Sequence, residues 1–428
     1  MQPVDRAWGS MFRWSLFVGG VAALGWGLRG SIGGGPLGAM IPGALAGMAV
    51  GLLLRWPGMP VATVAALGAA GVGMGGMMTY GQIVGFVIKP ETFAWGLLGL
   101  TVKGAVWGLC GGAFISVALM RGAIPRGDAA AALALFGGGA WAGWKLVNER
   151  KVIYFSDPVN QPLPEIWAGL VCGAVPMLAW LTWRGAGAVP VRFALTTMAG
   201  GGIGFGLGGA IMAYGSTLPA SHNWIPWWRI MEITFGFLSG ASMGVAAYRL
   251  RPLLRPEIVP STQRKPSLPV SLLLAALLCT VIVGEEYLLA WRYDFAFGGI
   301  ILALVALLSK EAAWQGAITV TFCAFSADLL EAWAGRYRPS SLIPGVILVA
   351  AAALAVGFLI YRMRRSAAYF LPRAFLLLMW MAVADSIVKP FVEKGMNRGH
   401  LLVEIMFIGL AIAATIPVLR GGGLGARV

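Results

Sequence analysis

Apolar runs long enough to cross a bilayer recur from one end of this 428-residue chain to the other, and they constrain its fold more tightly than anything else in it. Only 11% of residues are charged, against about a quarter in a soluble domain. The expected class is therefore all-α: a polytopic integral membrane protein with about fourteen transmembrane helices. The spans are expected near 11–29, 37–54, 60–80, 93–120, 128–148, 166–183, 192–214, 227–248, 269–290, 295–309, 312–333, 341–361, 368–388 and 400–419. The longest polar segments, 149–165 and 249–268, are too short to fold as soluble domains. The first run follows Arg6 and Arg13 and continues through Gly25 and Gly27 with no small-residue cleavage site, so it reads as a spanning helix rather than a signal peptide.

The spans are organised as helical hairpins in tandem. Residues 25–55 hold the end of one apolar helix, a glycine-rich turn and a second apolar helix closed by Arg55. Arg121, Arg184 and Arg249 close later second helices, at intervals of 66, 63 and 65 residues. Four glycine-rich hairpins fill residues 1–250. A basic, Pro-containing linker follows at 251–267, and three Leu/Ala-rich hairpins fill 268–428.

Charge sets an orientation. With the N-terminus and every even-to-odd connection on one side, that side carries 19 of the 32 Lys and Arg but only four acids: Asp5, Asp128, Glu257 and Glu311. The positive-inside rule makes that side cytoplasmic, with both termini inside and the inner (cell) membrane as location. The +15 net charge is thus a topology signal that faces lipid headgroups. Membrane lipids are the expected neighbours, and nucleic acid is not an expected partner.

Glycine has a packing role. GxGxxG occurs at 25–30, 71–76 and 204–209, but inside apolar runs with no preceding strand, which excludes the dinucleotide reading. Second helices space glycines by four at Gly43, Gly47 and Gly51, at Gly104, Gly108 and Gly112, at Gly236, Gly240 and Gly244, and at Gly169 and Gly173. Such spacing lines one face and lets backbones approach. The turn Gly33–Pro36 is a candidate broken-helix ligand site. Cys110, Cys172, Cys279 and Cys323 lie in apolar runs without metal-ligand spacing, so no disulfide, metal or cofactor is expected.

Charges within the spans are costly and mark candidate function. Arg29, Lys103, Arg229, Tyr80 and Tyr214 are candidate substrate-binding residues. Glu232, Glu286, Asp328, Asp385, Glu404 and His400 are candidates for proton or cation coupling. All fall late in odd helices or early in even ones, as one outer layer. Arg229 lies three residues before Glu232 and His400 four before Glu404, so each pair shares a helix face. The bland reading makes Arg29 a structural ion-pair partner, lets Lys145 and Lys389 snorkel, and makes Trp224, Trp227 and Trp228 an interface belt.

Three functions fit. One is a secondary transporter or flippase for a small polar or anionic solute or lipid-linked group, coupled through the carboxylates. The second is an outward-facing enzyme, glycosyl- or acyl-transferase-like, acting on a lipid-linked or periplasmic substrate, with the Glu285–Glu286 pair suited to general-base work or metal binding. Its lack of any substantial outer loop counts against it. The third is a structural subunit of a membrane complex. An ATP-driven pump is not expected, because the sequence carries neither a phosphate-binding loop nor a soluble nucleotide domain.

Overall fold

The computed structural model describes residues 11–33, 35–55, 58–163, 165–255, 257, 267–288, 295–323, 326, 342–363, 370–393 and 397–421. Every regular element among them is a helix. In chain order these are α1 (Met11–Ile32), α2 (Gly35–Leu54), α3 (Gly58–Gly75), α4 (Gly81–Val87), α5 (Phe93–Leu119), α6 (Arg126–Gly143), α7 (Trp167–Leu181), α8 (Val189–Thr217) and α9 (Trp227–Leu250). After the linker come α10 (Leu268–Leu288), α11 (Phe295–Leu308), α12 (Lys310–Trp314, continuing as the π-helix Gln315–Val320), α13 (Leu342–Met363), α14 (Phe370–Glu393) and α15 (Arg398–Gly421).

Among the described residues, eight helices are long and apolar enough to cross a membrane: Met11–Ile32, Gly35–Leu54, Pro90–Leu119, Arg126–Asn148, Val189–Thr217, Trp227–Leu253, Leu371–Phe391 and Arg398–Arg420. Shorter apolar helices run over Val61–Gly75, Leu268–Ile282, Gly298–Leu308 and Val349–Met363. The chain is a multi-pass, all-α membrane protein. One expected span is interrupted. The run 60–80 stops being helical at Gly75, where Gly76 N–H turns back to the Gly73 carbonyl (2.8 Å) and Met78 N–H to Gly75 (3.0 Å). That break carries Thr79 and Tyr80 into a turn.

Six helices close a ring in the order α1–α2–α3–α5–α8–α9 and back to α1. The glycine seams make the closure. Gly43, Gly47 and Gly51 of α2 lie against Gly68, Val64 and Val61 of α3. Gly104, Gly108 and Gly112 of α5 lie against Gly201, Thr197 and Ala194 of α8, and Gly236, Gly240 and Gly244 of α9 against Ala22, Val18 and Trp14 of α1. In each pair one number rises as the other falls, so the helices are antiparallel. Each second helix sets its seam on the first helix of the next hairpin around the ring. Gly169 and Gly173 instead seat α7 on its own partner α6, and that pair packs outside. In lipid there is no hydrophobic drive between helices, so this backbone approach is what holds them. The glycines of the GxGxxG runs also serve packing. Gly25 faces Pro42, Gly71 faces Phe114, and Gly204 faces Phe235.

A Cβ at Gly108 would run into the Thr197 carbonyl. Gly108→Val is therefore expected to cost at least about 1–3 kcal/mol, read as a lower thermal unfolding midpoint in detergent. Gly20→Val, where a Cβ meets nothing within 4 Å, is the control expected to unfold near the wild-type temperature.

At the end of the ring opposite Tyr80, Gly122 N–H donates to the Arg255 carbonyl (2.6 Å) and Arg255 N–H to Leu119 (3.2 Å). Glu257 pairs with Arg126 (3.0 Å) and lies 3.9 Å from Arg121. The start of the linker is thus docked on the end of α5.

Candidate functional site

Aromatic side chains from four elements fill one mouth of the ring. Trp26 of α1 packs edge-on to Trp107 of α5 (5.1 Å between centroids) and lies 4.5 Å from Phe235 of α9, which stacks on Phe205 of α8 at 4.7 Å. The Trp107 indole N–H donates to the Val72 carbonyl (3.1 Å), one of the last that α3 leaves without a helical donor. Tyr80 closes the cluster, 5.8 Å from Trp107, 5.2 Å from Phe205 and stacked on Trp228 at 5.7 Å.

On this floor sits a buried ionic network centred on Glu232. Its Oε1 accepts from the Tyr80 hydroxyl (2.7 Å) and the Trp228 indole (3.1 Å), and its Oε2 from Arg229 Nη1 (2.8 Å). Arg29 Nη1 donates to the Tyr80 oxygen (2.7 Å) and lies 3.7 Å from the carboxylate. The Arg29 guanidinium also lies 5.3–5.6 Å from the centroids of Trp26, Tyr80 and Trp107, within cation–π range of each. Arg29 and Glu232 are only 3% and 2% exposed, so two helices, α1 and α9, and the connection between α3 and α4 meet on one dehydrated carboxylate. Arg29 Nε has no hydrogen-bond partner among the described residues. The Arg229–Glu232 pair packs directly on Gly30, where a Cβ would meet Arg229 Nη1 and Glu232 Oε2 and displace them.

A second buried pair adjoins the first through the Thr79–Tyr80 backbone. Lys103, on α5 and fully buried, donates to the Thr79 carbonyl and to Glu165 Oε1 (2.8 Å). Glu165 Oε1 also accepts from the Ser156 N–H (3.1 Å) and hydroxyl (2.6 Å). Glu165 and Ser156 belong to the 149–166 segment, which the Gln82 side chain holds by accepting from Asp157 N–H (2.7 Å). In that segment the Asn160 side chain, and then the Asn160 and Val159 amides, hold the Asp157 carboxyl below the usual carboxylate range.

A third group comes from α14 and α15, which pack on α1. Glu404 Oε1 accepts from the Ser386 hydroxyl (2.7 Å), and Arg229 lies within its electrostatic reach. Lys389 donates to the Ile32 carbonyl at the end of α1, so it ties α14 into the ring instead of snorkelling outward.

The structure thus gathers Arg29, Tyr80, Lys103, Arg229, Glu232 and Glu404 at one end of the bundle. Asp385 is half-buried on α14, one residue before Ser386. Tyr214 is 64% exposed on the outer face of α8, away from the network. His400 is exposed at the start of α15, where its N–H donates to Asn397 Oδ1 (2.9 Å). Lys145 pairs on the surface with Glu149 (2.8 Å). The Glu285 and Glu286 side chains, and Asp328 and Glu331 entirely, lie outside the described residues. The Gly33–Pro36 turn approaches the α3 break, where a Cβ on Gly76 would strike Gly35 and Pro36.

Glu165 was not singled out from sequence, although Lys103 in mid-helix demanded an acid and Glu165 directly precedes an apolar span. Trp26 and Trp107 carried no signal, since a Trp in an apolar helix reads as packing. Among the described residues no group of three or more His, Cys, Asp or Glu is placed to hold a metal ion.

No family model matches the chain, and no curated protein or solved structure matches it.

Proposed function

We propose that this chain is a secondary transporter or flippase that moves a small anionic or polar solute, or a lipid-linked group, coupled to protons through Glu232. In this reading it has fourteen spans arranged as hairpin repeats, sits in the inner membrane with both termini cytoplasmic, and opens the Glu232 network alternately to each side.

The observation that carries the reading is the Glu232 carboxylate, shared between Arg29 of α1, Tyr80 of the α3–α4 turn and Arg229 of α9. Protonating it removes the negative charge that Arg29 and Arg229 share. The buried Arg29 then needs another anion, because an uncompensated buried charge is costly. Proton and anionic solute would bind together, and the same step would loosen ring helices α1 and α9, whose glycine seam offers a smooth sliding surface. The orphaned Arg29 Nε is a ready donor for such an anion.

The outward-facing enzyme remains a second reading, favoured by the confinement of the buried network to one end of the ring. Side-specific labelling separates the two. Cys110, Cys172, Cys279 and Cys323 would be replaced and Thr79→Cys installed beside the network. Membrane-impermeant thiol reagents would then be applied from each side of oriented vesicles. Transport predicts labelling from both sides, with the balance shifted by pH. Labelling from the outer side alone would sink the transport reading and favour the enzyme.

A further inference from the structure

The end of the ring opposite the Glu232 network holds a second charged corner. It lies where α5 ends, α6 begins and the linker starts, close to Lys310 at the start of α12. Arg121 directly follows the last turn of α5 and is 7% exposed. Its Nη1 donates to the Ile124 carbonyl. Its Nε is buried and has no hydrogen-bond partner among the described residues. Its Nη2 lies 3.9 Å from Glu257 Oε1, which is too far for a hydrogen bond. The exposed Arg126 donates to that same oxygen through Nη2 (3.0 Å). Lys310 lies within electrostatic reach of both Glu257 and Arg126.

Cations outnumber acids at this corner. Glu257 is the only acid between Glu232 and Glu285 in the sequence, so the rest of the linker supplies no second one. Both oxygens of Asp128 accept from Arg184 (2.8 and 3.1 Å). Glu311 accepts from Gln315 (2.9 Å). Asp5, outside the described residues, is followed by Arg6. Even with Glu311 set against Lys310, Arg121 and Arg126 share one carboxylate, and only Arg126 is hydrogen-bonded to it. The start of α6 adds donors. Pro125 precedes it with no side-chain cap, so the first amides of the helix have no acceptor within it. A Cβ on Gly127 would meet nothing within 4 Å, so that turn is open. A helix start of this kind favours a bound anion.

We propose that this corner binds one phosphate oxyanion, carried by a lipid headgroup or free in solution, in the place that Glu257 holds. The Arg121 Nε–Nη2 edge offers two parallel donors, the geometry that suits phosphate. Arg126 and the open first turn of α6 complete the site. Basic pockets at the ends of spanning helices sit at the depth of lipid headgroups. Glu257 is then a tethered stand-in for the phosphate. Exchange of one for the other frees the carboxylate and leaves the linker held on α5 by the Gly122–Arg255 and Arg255–Leu119 backbone bonds. The site does not depend on the transport reading, since it lies at the opposite end of the ring and is tested by binding.

Binding is read as the rise in thermal unfolding midpoint of the purified full-length protein in detergent, at fixed ionic strength and pH. The probes are sodium phosphate, dihexanoyl phosphatidylglycerol and, as the zwitterionic control, dihexanoyl phosphatidylcholine. A saturable rise with phosphate or phosphatidylglycerol is expected. Half-saturation at much lower phosphatidylglycerol than phosphate assigns the site to a headgroup, and the reverse assigns it to free phosphate. Arg126→Gln is expected to raise the half-saturating concentration about fivefold, the effect of one Arg beside an anionic surface. Glu257→Gln is expected to lower it by a similar factor, because the internal competitor is gone. Arg251→Gln, whose guanidinium stacks on Tyr248 at 4.0 Å, is expected to leave it unchanged. The half-saturating concentration, unlike the midpoint itself, is not moved by a general loss of stability. No saturable response to phosphate or phosphatidylglycerol would overturn the proposal, as would a response to phosphatidylcholine equal to that of phosphatidylglycerol with none to phosphate. So would unchanged binding in Arg126→Gln, unchanged or weaker binding in Glu257→Gln, or an equal loss in Arg251→Gln and Arg126→Gln, the mark of diffuse surface attraction.

Discussion

Lys103→Met is expected to destabilise the protein by about 3–5 kcal/mol, the cost of stranding one member of a buried ion pair. Lys103 is fully buried and its ammonium is shared between the Thr79 carbonyl and Glu165 Oε1. Its removal leaves Glu165 with only the two Ser156 donors, in a site where Glu165 Oε2 already lacks a hydrogen-bond partner. The double variant Lys103→Met, Glu165→Gln is expected to recover much of the loss, because the stranded charge is gone while Ser156 can still donate to the amide oxygen. Thermal unfolding of the wild type, both single variants and the double variant makes the cycle. A single-variant loss below about 1 kcal/mol, the scale of an exposed pair, would mean that water reaches Lys103.

Glu232→Gln is expected to abolish proton-coupled flux while leaving the protein folded. The amide keeps the shape and can still accept from Tyr80, Trp228 or Arg229, but it carries no charge for Arg29 and Arg229 to compensate and takes up no proton. Proteoliposomes loaded with a pH-reporting dye, challenged with phosphate and a panel of small carboxylates, would show anion-dependent acidification for the wild type and none for the variant. Uptake of the same anion by Glu232→Gln at an undiminished, pH-gradient-dependent rate would remove Glu232 from the coupling step. Glu404, linked to Ser386 and within reach of Arg229, would then be the next carboxylate to neutralise.

Much of the site was legible because charge in an apolar run has to be explained. Arg29, Lys103, Arg229, Glu232 and Glu404 all interrupt apolar segments, and the alternation of helices put them at one depth. Tyr214 shared that register but faces outward, because depth along a helix says nothing about which side of it meets the ring. Glu311 was hidden for the opposite reason. It sits beside Lys310 at a span boundary, which assigns it to the cytoplasmic side, yet it is 4% exposed and accepts from Gln315 one turn further on.

The sequence by itself determined the class and the device. Apolar runs with no partner for their backbone except themselves must be helical in lipid, and glycines at four-residue spacing must form flat seams. Which helix each seam would meet was left to the tertiary structure. A seam without side chains carries no address, so nothing local distinguishes α3, α8 or α1 as its partner. Only ring closure sets α5 on α8 and α9 on α1. That same closure brings Arg29, Tyr80 and Glu232, up to 203 residues apart in the chain, onto one carboxylate.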